Sequence, residues 1–272
     1  MHLEPLLIFE LCLLGLSTGF LAGLLGVGGG MIMVPFITFM LSARGLSADL
    51  AIKMAIATSM ATILFTSLSS MRAQHQRGAV RWDLVRGLAP GILIGGAASS
   101  LGVFALVKGT SLAIFFGLFV GFSAVQMFRD RKPSPTRQMP GAMGQVAVGA
   151  AMGFLCGLVA AGGGFISVPF MTWCNVNIRN AVATSAALGF PIALANVAGY
   201  VISGSSVPGL PPGSLGFIWL AALAVIAACS VLTAPLGVRI AHALPTQKLK
   251  RVFASILCLL AAHMLYQGLS KS

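Results

Sequence analysis

The chain has 272 residues, of which 57% are hydrophobic and 8% charged, with a mean hydropathy of +0.96. Polar surface is too scarce to cover a water-soluble globule, so the chain is expected to be an integral membrane protein. The net charge of +12 does not point to nucleic acid, because the basic residues fall between apolar spans rather than along one face, where they act as topology signals. The N-terminus has no basic region ahead of its apolar run and no small-residue cleavage pattern, so the first span is expected to stay. Cys12, Cys156, Cys174, Cys229 and Cys258 lie in or beside apolar segments without C-x-x-C spacing, and neither a metal nor a cofactor is expected.

In chain order, residues 6–26 form a first apolar segment. It ends in Gly26-Val27-Gly28-Gly29-Gly30-Met31, where three consecutive glycines favour a break. Residues 31–41 then supply only about 16 Å of helix at ~1.5 Å per residue, the thin second arm of a hairpin. Residues 51–71 form a third segment carrying Thr58, Ser59, Thr62, Thr66, Ser67, Ser69 and Ser70, a hydroxyl-rich face that needs a neighbour or a cavity. A basic loop with Arg72, His75, Arg77, Arg81 and Arg86 leads to residues 84–107, where Gly87, Gly91, Gly95 and Ser99 recur every four residues, a close-packing face. Residues 111–128 complete the first half.

Residues 129–141, with Arg129, Asp130, Arg131, Lys132 and three prolines, are the one clearly hydrophilic linker. The second half, 142–272, repeats the plan: 141–159, a break, 165–174, 181–201, a neutral loop 203–214, 216–239, a basic loop with Lys248, Lys250 and Arg251, and a last segment ending near residue 269. The expected fold is all-α, two inverted repeats of five helical segments, repeat 1 over 1–128 and repeat 2 over 142–272, each with a glycine-broken hairpin. An odd number of segments per half orients the halves oppositely, and the Lys and Arg loops place both termini outside the inner membrane. Parity does not decide whether the short arms cross or re-enter.

Two repeated elements carry the site expectation. Gly23-Leu24-Leu25-Gly26-Val27-Gly28-Gly29-Gly30 followed by Met31 and Pro35 returns 134 residues later as Gly157-Leu158-Val159-Ala160-Ala161-Gly162-Gly163-Gly164 followed by Phe165 and Pro169. A break deep in hydrocarbon survives only where protein buries it or where it lines a polar cavity. The helices starting at Met31 and Phe165 point free N–H groups and positive dipole ends back at the glycines, a geometry suited to an anion. Lys53, Thr58 and Ser59 likewise match Arg179, Thr184 and Ser185, 126 residues on. The Thr-Ser pairs are expected to complete an anion shell and Lys53 and Arg179 to guide the anion in. Two blander readings stand beside these: glycines that only let helices pack closely, and hydroxyls that only satisfy local carbonyls.

With those motifs, the turn His75-Gln76-Arg77-Gly78-Ala79-Val80 before Trp82, and a closing helix over 249–265, nearly the whole chain resembles the TauE/SafE family of sulfite exporters. The resemblance implies secondary transport of sulfite, organosulfonates or related sulfur-containing anions across a bacterial inner membrane, with the lipid bilayer as the other partner. His75 and His263 are the candidates for proton coupling or gating, since Glu4, Glu10, Asp49, Asp83 and Asp130 all fall away from the expected centre. An anion channel with a fixed pore is the alternative. An intramembrane enzyme is not expected, because no nucleophile–base pair or ligand cluster is visible.

Overall fold

The computed structural model describes residues 5–26, 28–129, 137–243 and 247–270. The described residues form ten helices: α1 Pro5–Leu25, α2 Gly30–Ala43, α3 Ala48–His75, α4 Trp82–Leu106, α5 Gly109–Arg129, α6 Ala142–Val159, α7 Gly164–Trp173, α8 Ile178–Gly204, α9 Leu220–Ala243 and α10 Gln247–Ser270. Within α4, residues Ala98–Val103 wind as a π-helix. All but α2 and α7 are long and apolar enough to cross a membrane. Large apolar side chains such as Phe9, Phe39, Phe122, Leu232 and Leu259 are exposed around the outside, the surface that a bilayer rather than water would cover. The chain is an all-α, multi-pass membrane protein.

Both long third segments extend beyond the expected 51–71 and 181–201 because each has a side-chain cap outside the apolar run. Ser47 Oγ accepts the Leu50 N–H at 3.4 Å, and Asn177 Oδ1 accepts the Arg179 N–H at 3.0 Å, satisfying amides that a helix start otherwise strands. Residues 216–219 are not the first turn of the ninth helix, as expected. They belong to a hairpin, β1 Ser214–Leu215 paired antiparallel with β2 Ile218–Trp219. Gly216 turns it with φ +55° and is wedged so tightly on α8 that a Cβ there would lie 2.6 Å from Val201 O. The burial of Phe217, Ile218 and Trp219 explains why an apolar stretch here need not be helix.

The helices pack across the two halves. α1 lies along α9 and α4 along α6; α3 meets α8, and α5 meets α10. Small residues permit the closest of these approaches: a Cβ on Gly23 would sit 1.9 Å from Ala234 O, and one on Gly95 would sit 1.9 Å from Ala150 O. Thus the expected close-packing face of α4 exists, and its partner is α6.

The two five-segment halves interlock, the first and fourth helices of each being packed on the other half. Two mixed groups result, α1, α2, α3 and α9 on one side and α4, α6, α7 and α8 on the other, joined by the extensive contact of α3 with α8. The expected linker over 129–141 falls largely outside the described residues, as do the side chains of Lys248, Lys250 and Arg251.

Candidate functional site at the paired helix breaks

Backbone conformation makes both breaks. After α1 the chain passes through Gly26, Gly28 and Gly29 with φ of +69°, +85° and +71°, and after α6 through Ala160 at +47° and Gly163 at +86°. Such left-handed angles are cheap for glycine and disfavour Ala160 by ~1–2 kcal/mol. Gly29 and Gly163 are the N-caps of α2 and α7, and neither helix start has a side-chain cap. Ile32 and Met33 donate back to Gly29 O, and Ile166 and Ser167 to Gly163 O. The amides of Gly30, Met31, Gly164 and Phe165 have no backbone acceptor outside their helices among the described residues. These amides give each break its positive end.

The two breaks lie against each other. A Cβ on Gly28 would be 2.7 Å from Gly162 Cα, and one on Gly30 would be 2.0 Å from Ala160 O. Beside this contact is a cavity walled by Gly28 and Gly162, by Thr66, Ser67 and Ser70 of α3, and by Gly189 of α8. It has room for about one water molecule.

The hydroxyl face of α3 therefore meets a cavity, as its composition requires, but one formed by residues further along than the Thr-Ser pair. Thr66 Oγ1 donates to Thr62 O at 3.0 Å and lies 2.7 Å from Ser230 Oγ on α9. Ser67 Oγ donates to Leu64 O at 3.2 Å. Ser70 Oγ is buried and has no hydrogen-bond partner among the described residues. Thr66, Ser67 and Ser70 were absent from the expected anion shell. The spacing that marks them is Thr62, Thr66, Ser70, a stripe every four residues on one face of α3.

Thr58, Ser59, Thr184 and Ser185 do not line this cavity. Thr58 Oγ1 accepts the Trp219 N–H at 3.0 Å, and Thr184 Oγ1 accepts the Arg81 N–H at 3.0 Å. Each threonine thus satisfies the amide that begins the fourth long segment of the opposite half, α9 or α4. Ser185 Oγ accepts from Ser167 Oγ at 2.9 Å and donates to Gly26 O at 3.1 Å, tying α8 to the first break. Ser59 Oγ is buried without a partner among the described residues.

The two basic residues fare differently. Lys53 is buried, its ammonium 3.8 Å from Asp49, donating to Ala105 O at 3.4 Å and lying 5.9 Å from the Phe217 ring centre. Asp49 also accepts the Gly109 N–H, so the first turn of α3 is fastened to the start of α5. Arg179 is exposed. His75 is exposed and its Nδ1 accepts the Trp82 indole N–H at 3.1 Å. His263 sits on the exposed side of α10, beside the exposed Tyr266 and apart from the breaks. Among the described residues no group of three or more His, Cys, Asp or Glu is placed to hold a metal.

Residues 11–264 match the family described as Sulfite exporter TauE/SafE. The chain belongs to that family. A "Probable membrane transporter protein" of Haemophilus influenzae is 34% identical over 255 residues, 93% of this chain and 97% of that protein. The "Probable membrane transporter protein YunE" of Bacillus subtilis is 27% identical, covering 95% and 97%. The "Probable membrane transporter protein MJ0441" of Methanocaldococcus jannaschii is 24% identical, covering 97% and 96%. No solved structure matches the chain.

Proposed function

We propose that this TauE/SafE family member is a secondary transporter that moves sulfite, an organosulfonate or a related sulfur-containing anion across the inner membrane by alternating access. The observation that carries the reading is the contact of the two uncapped helix starts: Gly28 against Gly162, with the amides of Gly30, Met31, Gly164 and Phe165 at hand. Those amides, together with Gly29 and Gly163, form the anion's cradle. Ser67 and Ser70 supply hydroxyl donors from the adjoining cavity.

A neutral cradle suits a cargo that must leave again. It also avoids a Lys or Arg at the bilayer centre, where insertion scales charge at least ~2.5 kcal/mol. Thr58 and Thr184 hold each mixed unit together, while Ser59 and Ser185 stand at the joint between them. Opening is a displacement of the two units along α3 and α8, which widens the cavity towards one side at a time. In an inverted-repeat arrangement with both termini outside, the exposed Arg179 draws anions at the inner mouth, whereas Lys53 is buried and held by Asp49.

The test is counterflow in proteoliposomes over sulfite, sulfate, thiosulfate, taurine and sulfoacetate. Saturable exchange with at least one of these is expected. Flux that never saturates would make the protein a channel, and no flux with any of them would remove the sulfur-anion assignment.

A further inference from the structure

A second polar site lies at the other side of α6. Where α4 winds as a π-helix over Ala98–Val103, Ser99 Oγ is fully buried and has no hydrogen-bond partner; on α8, Asn196 Oδ1 is in the same condition. The amide of Asn196 is oriented by its nitrogen, which donates to Ile192 O at 2.8 Å and to Gly153 O at 3.4 Å. The carbonyl oxygen is the end left over. Both oxygens border one point: a Cβ on Gly157 would lie 2.1 Å from Asn196 Oδ1 and 2.6 Å from Ser99 Oγ.

Gly157 belongs to the last turn of α6, where carbonyls collect at the negative end of the helix dipole. The Tyr200 hydroxyl donates to Gly157 O, fixing that carbonyl from α8. π-Helical turns inside α-helices are often placed at functional sites. Unpaired buried oxygens are otherwise rare in folded proteins.

We propose that Asn196 Oδ1 and Ser99 Oγ, with carbonyls of the last turn of α6, bind a monovalent cation of the size of Na⁺. Hard neutral oxygens and the C-terminal end of a helix are the surroundings that hold Na⁺ in membrane carriers. No carboxylate belongs to the set, which disfavours Mg²⁺ or Ca²⁺, since these draw on Asp and Glu. The position matching Asn196 on α3 is Ser70, a single hydroxyl, so α3 offers no matching amide oxygen. Gly157 stands five residues before Gly162. Resting on the anion reading above, the cation there offsets the charge of a bound oxyanion and couples its passage to a Na⁺ gradient.

The experiment is binding of ²²Na⁺ to the purified full chain in choline medium without any anion, accompanied by melting curves in NaCl, KCl and choline chloride. Saturable binding is expected, with Na⁺ raising the melting temperature more than K⁺. Ser99→Ala, folded in choline, should weaken binding about tenfold, the loss of one ligand to a charged ion, while Asn196→Asp should bind as tightly or more so. Absence of saturable binding by the unaltered protein, the result that a bridging water alone would give, overturns the proposal. So does undiminished binding by folded Ser99→Ala, or weaker binding by Asn196→Asp. Because no anion is present, failure of the sulfur-anion reading leaves these outcomes unchanged and is recognised separately by counterflow.

Discussion

The helices α3 and α8 begin alike and end differently. Each opens with a basic residue and a Thr-Ser pair, and each threonine accepts one backbone amide at the start of a long helix of the other half. Further along, α3 carries Thr62, Thr66, Ser67 and Ser70 where α8, 126 residues later, carries Leu188, Ile192, Ala193 and Asn196. The shared part is joinery. The differing part is the polar surface: α3 turns hydroxyls to the cavity at the breaks, whereas Asn196 of α8 lies beside Ser99 in the π-helical turn of α4. Along these two helices repetition marks the joinery, and the departure from it falls beside the breaks.

The sharpest way to break the comparison is at the glycines. Gly30→Val should abolish folded protein, because its Cβ would overlap Ala160 O, a backbone atom that cannot step aside. Gly163→Ala should be milder, with a loss of ~1–2 kcal/mol for the left-handed backbone, since the nearest obstacle is the flexible end of Ile192. Yield of monodisperse protein and melting temperature measure both. Equal damage would mean that the two breaks are not differently packed.

The joinery gives the next effects. Thr58→Val leaves the Trp219 amide orphaned in a fully buried place and should destabilise by ~1–3 kcal/mol. Thr184→Val should be less severe, ~0.5–1.5 kcal/mol, because the Arg81 amide is only partly buried. Denaturation in mild detergent checks the order, and a reversal would contradict the burial argument. Smallest is Ser70→Ala, which removes a hydroxyl that has no partner in this conformation. It should leave the melting temperature unchanged and raise the KM for anion exchange about threefold to tenfold, whereas Ala193→Ser, at the place on α8 that matches Ser67, should leave KM unaltered.

Much of this arrangement was legible beforehand. The doubled glycine run announced both breaks, since three consecutive glycines in an apolar segment have few other physical reasons. The four-residue spacing of Gly87, Gly91 and Gly95 announced a tight helix contact without naming α6 as its partner, because side-chain size reports closeness and not identity. The hairpin at Ser214–Trp219 was hidden for a related reason: Phe217, Ile218 and Trp219 are buried, and a buried apolar run reads the same as helix or strand. The Thr-Ser pairs stood out by repetition, but a repeated hydroxyl can hold a backbone as readily as a ligand. Only the stripe Thr62, Thr66, Ser70 pointed at the cavity, and its counterpart on α8 breaks it.

The central claim is that the starts of α2 and α7 share one oxyanion. Crystals or frozen grids of the protein with selenite, a heavier analogue of sulfite, test it most directly. The account predicts one selenium position within about 3 Å of amides from both Gly30–Met31 and Gly164–Phe165. A selenium bound at one helix start alone, or away from both, would contradict it.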